Sequence, residues 1–365
     1  MNYIIPFIIL ITIVVFIHEY GHYYFARRYG VAVTDFSIGF GKEIFGFNDK
    51  SGTRWKFCLI PLGGYVKFFG DRNVFSQAEQ KEILKKYSKS DQEKLFVTKP
   101  LYQRALIVAG GPLANFLLAI VIFSFIYMFV GKDFTPAKIE EVAIESPAEK
   151  AGLKKNDIII GINNNKIESI LEVSMFINTT STDKISIKVL RNQRELTLVA
   201  EPNITESKDA FGNPIKKKII GIKIGPASDE FNREKLGPAK AVYYSVKEIW
   251  FVCKTTIQFI GSLFQGKGDT SQLGGPIKIA KISGQVMEFG ILAFLSTVAY
   301  ISISLGLINL FPIPLLDGGH IIYFTLRSMF SNTLPQVITR LYIVIGISII
   351  SFLFILVTIN DIFYK

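Results

Sequence analysis

Four stretches of the chain are long and apolar enough to read as membrane-crossing helices. The first, Tyr3 to Ala26, is nearly pure hydrocarbon up to Ile17 and then turns polar at His18-Glu19-Tyr20-Gly21-His22. The second runs from Ala105 to Val130, the third from Ile291 to Leu310 and the fourth from Leu341 to Ile359. A helix of roughly 20 apolar residues spans about 30 Å of hydrocarbon, and each stretch is of that order. The first has neither the basic start nor the small-residue cleavage site of a signal peptide, so it is expected to be a retained helix.

Between these stretches the period changes. Residues 54 to 70 alternate and are broken by Pro61 and Gly63-Gly64, which predicts a strand pair or looped sheet with an apolar face. Residues 76 to 95, rich in Lys, Glu and Gln, predict a solvated helical insertion. Residues 136 to 201 predict short strands with one helix, the alternating runs being Lys184–Leu190 and Glu195–Val199. Ala239 to Phe264 carries Tyr243, Tyr244, Trp250 and Phe251, but Lys240, Lys247, Glu248 and Lys254 interrupt it. That pattern predicts a helix lying in the membrane interface rather than a fifth span.

Composition sharpens this picture. Hydrophobic residues make up 49% of the chain and the formal net charge is +11. A basic balance alone suggests nucleic acid, but the apolar runs assign it to a lipid bilayer, and no nucleic-acid partner is expected. Residues 27 to 100 hold 14 Lys and Arg against 8 Asp and Glu. Positive flanks stay cytoplasmic, so that loop and residues 311 to 340 are expected inside, with residues 131 to about 285 and Lys365 outside. The two cysteines, Cys58 and Cys253, are expected as free thiols on opposite sides of the membrane.

The chemistry lies in the polar end of the first span. On a helix, His18 and His22 stand one turn apart on one face, so both imidazoles can reach one ion. Glu19 projects to the side, where it can take a proton from water without filling a coordination site. Ionisable groups inside a span cost about 2.5–3.5 kcal/mol each on insertion scales, which implies a task. A catalytic zinc takes three protein ligands and keeps one position open. The third ligand is either Asp317 or His320, both just after the third span in Asn309-Leu-Phe-Pro-Ile-Pro-Leu-Leu-Asp317-Gly-Gly-His320. The Gly-Gly turn after Asp317 and the matching depth favour Asp317. Competing readings are a metal transporter, in which Glu19 would have no role, and an inactive membrane scaffold.

HEYGH in a membrane span, PLGGYV, GGPLANF and NLFPIPLLDGG, in this order, resemble the site-2 proteases, closest to the bacterial regulator of sigma-E protease type. FSIGFG at Phe36–Gly41 and LGGP at Leu273–Pro276 extend the resemblance over most of the chain. It implies a polytopic α-helical membrane protein with four transmembrane helices, a membrane-associated β-hairpin at 54–70 and an extracytoplasmic PDZ domain. His18, His22 and Asp317 would be ligands of Zn2+ and Glu19 the catalytic acid/base. Asn309 and Pro312, with Gly63, Gly64 and Tyr65 of the hairpin, would contact substrate, and Asn115 falls on a GPxxN motif. The implied activity is regulated cleavage of single-span membrane proteins, anti-sigma factors or remnant signal peptides, in the bacterial inner membrane. Ser146–Leu153 followed by Asn156–Asn163 looks like a PDZ module, with Asn156 and Asn164 standing where glycine is usual. The module would filter substrates by size. The expected domains are a membrane core at 1–131, a PDZ domain at 132–203, a linker with the interfacial helix at 204–285, and a second membrane core at 286–365.

Overall fold

A computed structural model describes residues 3–70, 87–180, 182–208, 214–227, 231–266, 270, 273–329 and 336–363. Along the chain, α1 (Ile4–Arg28) leads into the long strands β1 (Val33–Asn48) and β2 (Arg54–Phe68), and then α2 (Leu101–Phe129). There follow β3 (Ala137–Val142), β4 (Ile158–Ile162), α3 (Ile170–Thr179), β5 (Ile185–Arg191), β6 (Arg194–Ala200) and β7 (Ile222–Pro226). The chain ends in α4 (Pro238–Phe264), α5 (Pro276–Glu288), α6 (Ile291–Asn309), α7 (Asp317–Met329) and α8 (Gln336–Phe363). It divides into one unit of residues 1–122 and 275–359 and a second of 123–274 and 360–365.

The four helices long and apolar enough to cross a membrane are Ile4–Arg28, Leu101–Phe129, Ile291–Asn309 and Val337–Ile362. These are the four spans expected, each shifted by a few residues at its ends. Pro238–Phe264 is one continuous helix that is not among them. Most of the expected helical insertion at 76–95 lies outside the described residues; within it a single turn forms at Lys89–Gln92.

In the first unit, α1 buries the stripe Pro6, Leu10, Val14, His18 and Gly21. The spacing of three and four residues puts them on one helical face, so His18 continues the face that packs inside. Leu10 and Val14 meet Phe294 and Val298 of α6, with Leu118 and Ile122 of α2 against them. The crossing of α1 and α2 is closer than side chains allow. A Cβ on Gly21 would overlap the carbonyl of Gly110, and one on Gly110 would lie 2.6 Å from the carbonyl oxygen of Gly21. Small residues let two helices in hydrocarbon touch backbone to backbone. α1 stops at Gly30, whose φ is +68°, with Val31 N–H donating to the Ala26 carbonyl and Gly30 N–H to Arg27. This is a Schellman end, which glycine permits without steric cost. Only 6% of the apolar window of α8 is buried, against 44% for α2, so α8 is the peripheral span of the four.

The sheet beside α1 is wider than a hairpin within 54–70. Phe36 of β1 pairs with Val66 on one side and with Trp55 on the other, while Phe47 also pairs with Trp55. Both long strands therefore fold back on themselves, and the first arm of β1 lies between the two arms of β2. Gly39 and Gly41, each at φ +87°, and Gly63, at φ +134°, make the bends. The upstream arms escape a sequence reading because FSIGFG is broken by these same glycines and lacks a clean alternation. The turn of the hairpin is pinned by Asp49. Its carboxylate accepts from the Ser51 and Thr53 amides, from Trp55 Nε1 at 3.1 Å and from the Tyr23 hydroxyl of α1 at 2.9 Å.

The second unit is built on an antiparallel sheet in the order β7-β3-β4-β5-β6. Ile185, Ile187 and Val189 alternate inward with Ile139, Ile159 and Ile162, and α3 covers them with Val173 and Ile177. The edge strand β7 comes from beyond residue 203, where the sequence reading ends this module; a five-residue strand has too little period to be seen. Asn156 takes φ +70°, as expected, but its companion is Asn163 at +52° rather than Asn164.

Candidate metal centre

Three side chains from two distant parts of the chain converge in the first unit. His18 Nε2 lies 3.2 Å from His22 Nε2, and Asp317 Oδ2 lies 3.3 Å from the first nitrogen and 3.6 Å from the second. Among the described residues this is the one group of three His, Cys, Asp or Glu side chains spaced to hold a metal ion. Four ligands at 2.0–2.1 Å in a tetrahedron around zinc stand roughly 3.3 Å apart, so the triad has the edge lengths of three corners. Asp317 Oδ2 is buried and has no hydrogen-bond partner. A buried carboxylate oxygen without a donor carries a large desolvation cost, and a cation at this point removes it. The residues present thus fit zinc.

Each of the three side chains is held from behind. His22 Nδ1 lies 2.9 Å from the Ile107 carbonyl, which can only accept, so Nδ1 carries the proton and Nε2 is left free. His18 Nδ1 faces the side-chain amide of Asn115 at 3.2 Å. Asp317 opens α7, where a carboxylate suits the helix N-terminus. Pro312 and Pro314 prevent α6 from continuing, and the chain turns through Leu315 at φ +79°. Gly318 and Gly319 follow because Cβ atoms there would overlap the carbonyls of Leu310 and Ile313. The Tyr342 hydroxyl of α8 donates to the Gly319 carbonyl at 2.7 Å and ties this turn down.

Of the two candidates for a third ligand, the fold brings Asp317 to the histidine pair. The His320 ring instead stacks on Phe324 at 6.1 Å between centroids, and its backbone N–H continues the helix to Leu316. Glu19 is beside the triad without belonging to it. It lies close enough to His22 and Asp317 to feel their charges, and its Cγ would be 3.2 Å from a Cβ on Gly64 of β2. Gly63 and Tyr65 pack on Phe40, the tyrosine ring at 6.2 Å. Asn309 ends α6 and Pro312 is exposed in the turn that leads to Asp317. A residue to which the sequence reading gave no role, although it lies in GGPLANF, is Gly111: a Cβ there would overlap His22 Nε2 and lie 2.7 Å from His18 Cε1. The Ile107 carbonyl left no signal at all, since any residue provides one.

The Peptidase family M50 profile matches residues 6–353. A relative from Agrobacterium fabrum named "putative zinc metalloprotease" is 38% identical over 99% of this chain and 96% of its own length. One of the same description from Rickettsia conorii is 38% identical over 98% of each chain. A protein of Caulobacter vibrioides named metalloprotease MmpA is 32% identical over 89% of this chain and 86% of its own. A match over nearly the whole chain, joined to four apolar helices and a His-His-Asp centre, places the protein in peptidase family M50, the site-2 proteases, as a membrane-embedded zinc metalloprotease.

Proposed function

We propose that the protein cleaves single-span membrane proteins within or beside the bilayer, with His18, His22 and Asp317 holding zinc and Glu19 carrying the proton. The observation that carries this reading is the convergence of two imidazole nitrogens on a carboxylate oxygen that lacks a hydrogen-bond donor. When bound, zinc supplies Lewis acidity, polarising a carbonyl and letting water ionise near a pH of about 7. Glu19 takes the proton of the attacking water and returns it to the leaving amide nitrogen, a role typically worth about 10²–10⁴-fold.

A helical substrate must open before its carbonyls can be attacked, and the freed backbone groups cost several kcal/mol each in hydrocarbon. The sheet beside α1 offers a remedy, because an extended segment added next to Gly63, Gly64 and Tyr65 would regain its hydrogen bonds close to Glu19. Asn309 and Pro312 would hold the opposite side of that segment. The β-rich second unit is read as an extracytoplasmic PDZ module running from residue 132 to Pro226, so that β7 is included. Residues 27–100 are assigned to the cytoplasmic side of a bacterial inner membrane. A cysteine probe at Asn203 should then be labelled from outside and one at Ser88 should not.

The deciding experiment is Glu19→Gln in purified full-length protein with a single-span substrate. Zinc content should stay at the wild-type level and cleavage should be lost. Wild-type turnover by this variant would remove Glu19 from the mechanism.

A further inference from the structure

We propose that Asn115 is a positioning residue: its side-chain oxygen accepts the Nδ1 proton of His18 and so aims His18 Nε2 at the metal. The proposal rests on the ligand assignment above. The two histidines are supported differently. His22 Nδ1 faces a backbone carbonyl, which fixes its tautomer. His18 Nδ1 faces a side chain that can either donate or accept, the amide of Asn115, with Nδ2 at 3.2 Å. Donation by that amide would require a bare Nδ1 and would put the ring proton on Nε2, where the metal must bind. A neutral imidazole cannot offer both nitrogens as acceptors.

An amide's oxygen and nitrogen have the same shape, so a half-turn about Cβ–Cγ exchanges them without moving another group. Asn115 Oδ1 is buried and has no hydrogen-bond partner, so no described donor competes with His18 for it. The residue is itself fully buried and fixed on its backbone side. Ser302 Oγ of α6 donates to the Asn115 carbonyl at 2.9 Å, and Gly306 leaves room for Asn115 Cβ, which a Cβ of its own would meet at 3.3 Å. α6 therefore braces α2 at the level of the metal ligands, and the brace reaches His18 through one amide. Outer partners of metal-binding histidines set ring orientation and basicity, and their loss typically costs about 10–100-fold in metal affinity.

The test compares Asn115→Leu, which keeps the shape and removes the acceptor, with Asn115→Asp, which can only accept. Purified full-length protein is stripped of metal, then titrated with Zn2+ against a chromophoric chelator and with Co2+ by visible absorption. Asn115→Leu should weaken zinc by about 10–100-fold and alter the Co2+ bands. Asn115→Asp should bind at least as tightly as wild type, because a carboxylate opposite Nδ1–H strengthens the same contact. Wild-type affinity in Asn115→Leu would overturn the proposal, and so would equal weakening in both variants, which marks a packing role. Unchanged zinc affinity in His18→Ala would overturn the ligand assignment instead, so the two failures are distinct.

Discussion

Each unit draws a carboxylate oxygen out of contact with solvent, and the two are treated in opposite ways. In the β-rich unit, Asp157 is closed off: Arg191 grips both its oxygens, at 2.6 and 2.7 Å, and the Lys154 amide adds a third bond at 2.9 Å. In the membrane unit, Asp317 Oδ2 has two histidine nitrogens at ion-pair distance and no hydrogen-bond donor. A polar cluster that serves the fold satisfies itself, since each open buried group costs stability. One that serves chemistry keeps an atom unsatisfied for what it must bind. The contrast separates the two carboxylates more sharply than charge, which they share.

The comparison breaks most visibly at Asp317. Asp317→Ala should abolish zinc retention and cleavage together, while His320→Ala should keep most of the metal; metal analysis of both variants decides, and the reverse pattern would make His320 the third ligand. Next in size, Gly111→Ala should strongly reduce zinc affinity, because its methyl would collide with both imidazoles. Gly152→Ala in the other unit meets nothing within 4 Å and suffers only its φ of +82°, a strain of about 1 kcal/mol. Zinc titration of the pair should show a large loss in the first and none in the second.

Arg191→Met leaves Asp157 buried without its cation and should destabilise the β-rich unit by about 3 kcal/mol. Hydrogen exchange should speed across β3–β6, while cleavage of a short substrate stays near wild type. Loss of that cleavage would mean that the chemistry depends on this unit's integrity. The smallest effect is expected from Tyr342→Phe, which removes one hydrogen bond to the turn carrying Asp317. At about 0.5–1.5 kcal/mol, it should weaken zinc by no more than a few-fold; a complete loss of metal would show that α8 does far more than steady the turn.

Much of the molecule was legible because its signals are local. The spans were visible as apolar runs, with errors of a few residues at ends where helix and interface grade into each other. His18 and His22 share a face by helical geometry alone. The sheet beside α1 was only half visible: β2 alternates, whereas β1 carries the bend glycines that make folding back possible and destroy the alternation. β7 was missed for want of length, so the β-rich module was ended too early.

The sequence by itself determined which residues are chemically able to hold a metal and that two of them must stand together, because a helix converts a spacing of four into proximity. It favoured Asp317 over His320 by the Gly-Gly turn and matching depth, but with only two residues between them it did not fix which one meets the pair. Tertiary structure brings Asp317 to the histidine pair through the Gly318-Gly319 contact with the preceding turn, and stacks His320 on Phe324. It also gave Gly111 and Asn115 their places, on a second helix that meets the first only because Gly21 and Gly110 let two backbones touch. Such partners lie some 90 positions away along the chain, and no local period encodes a contact over that distance.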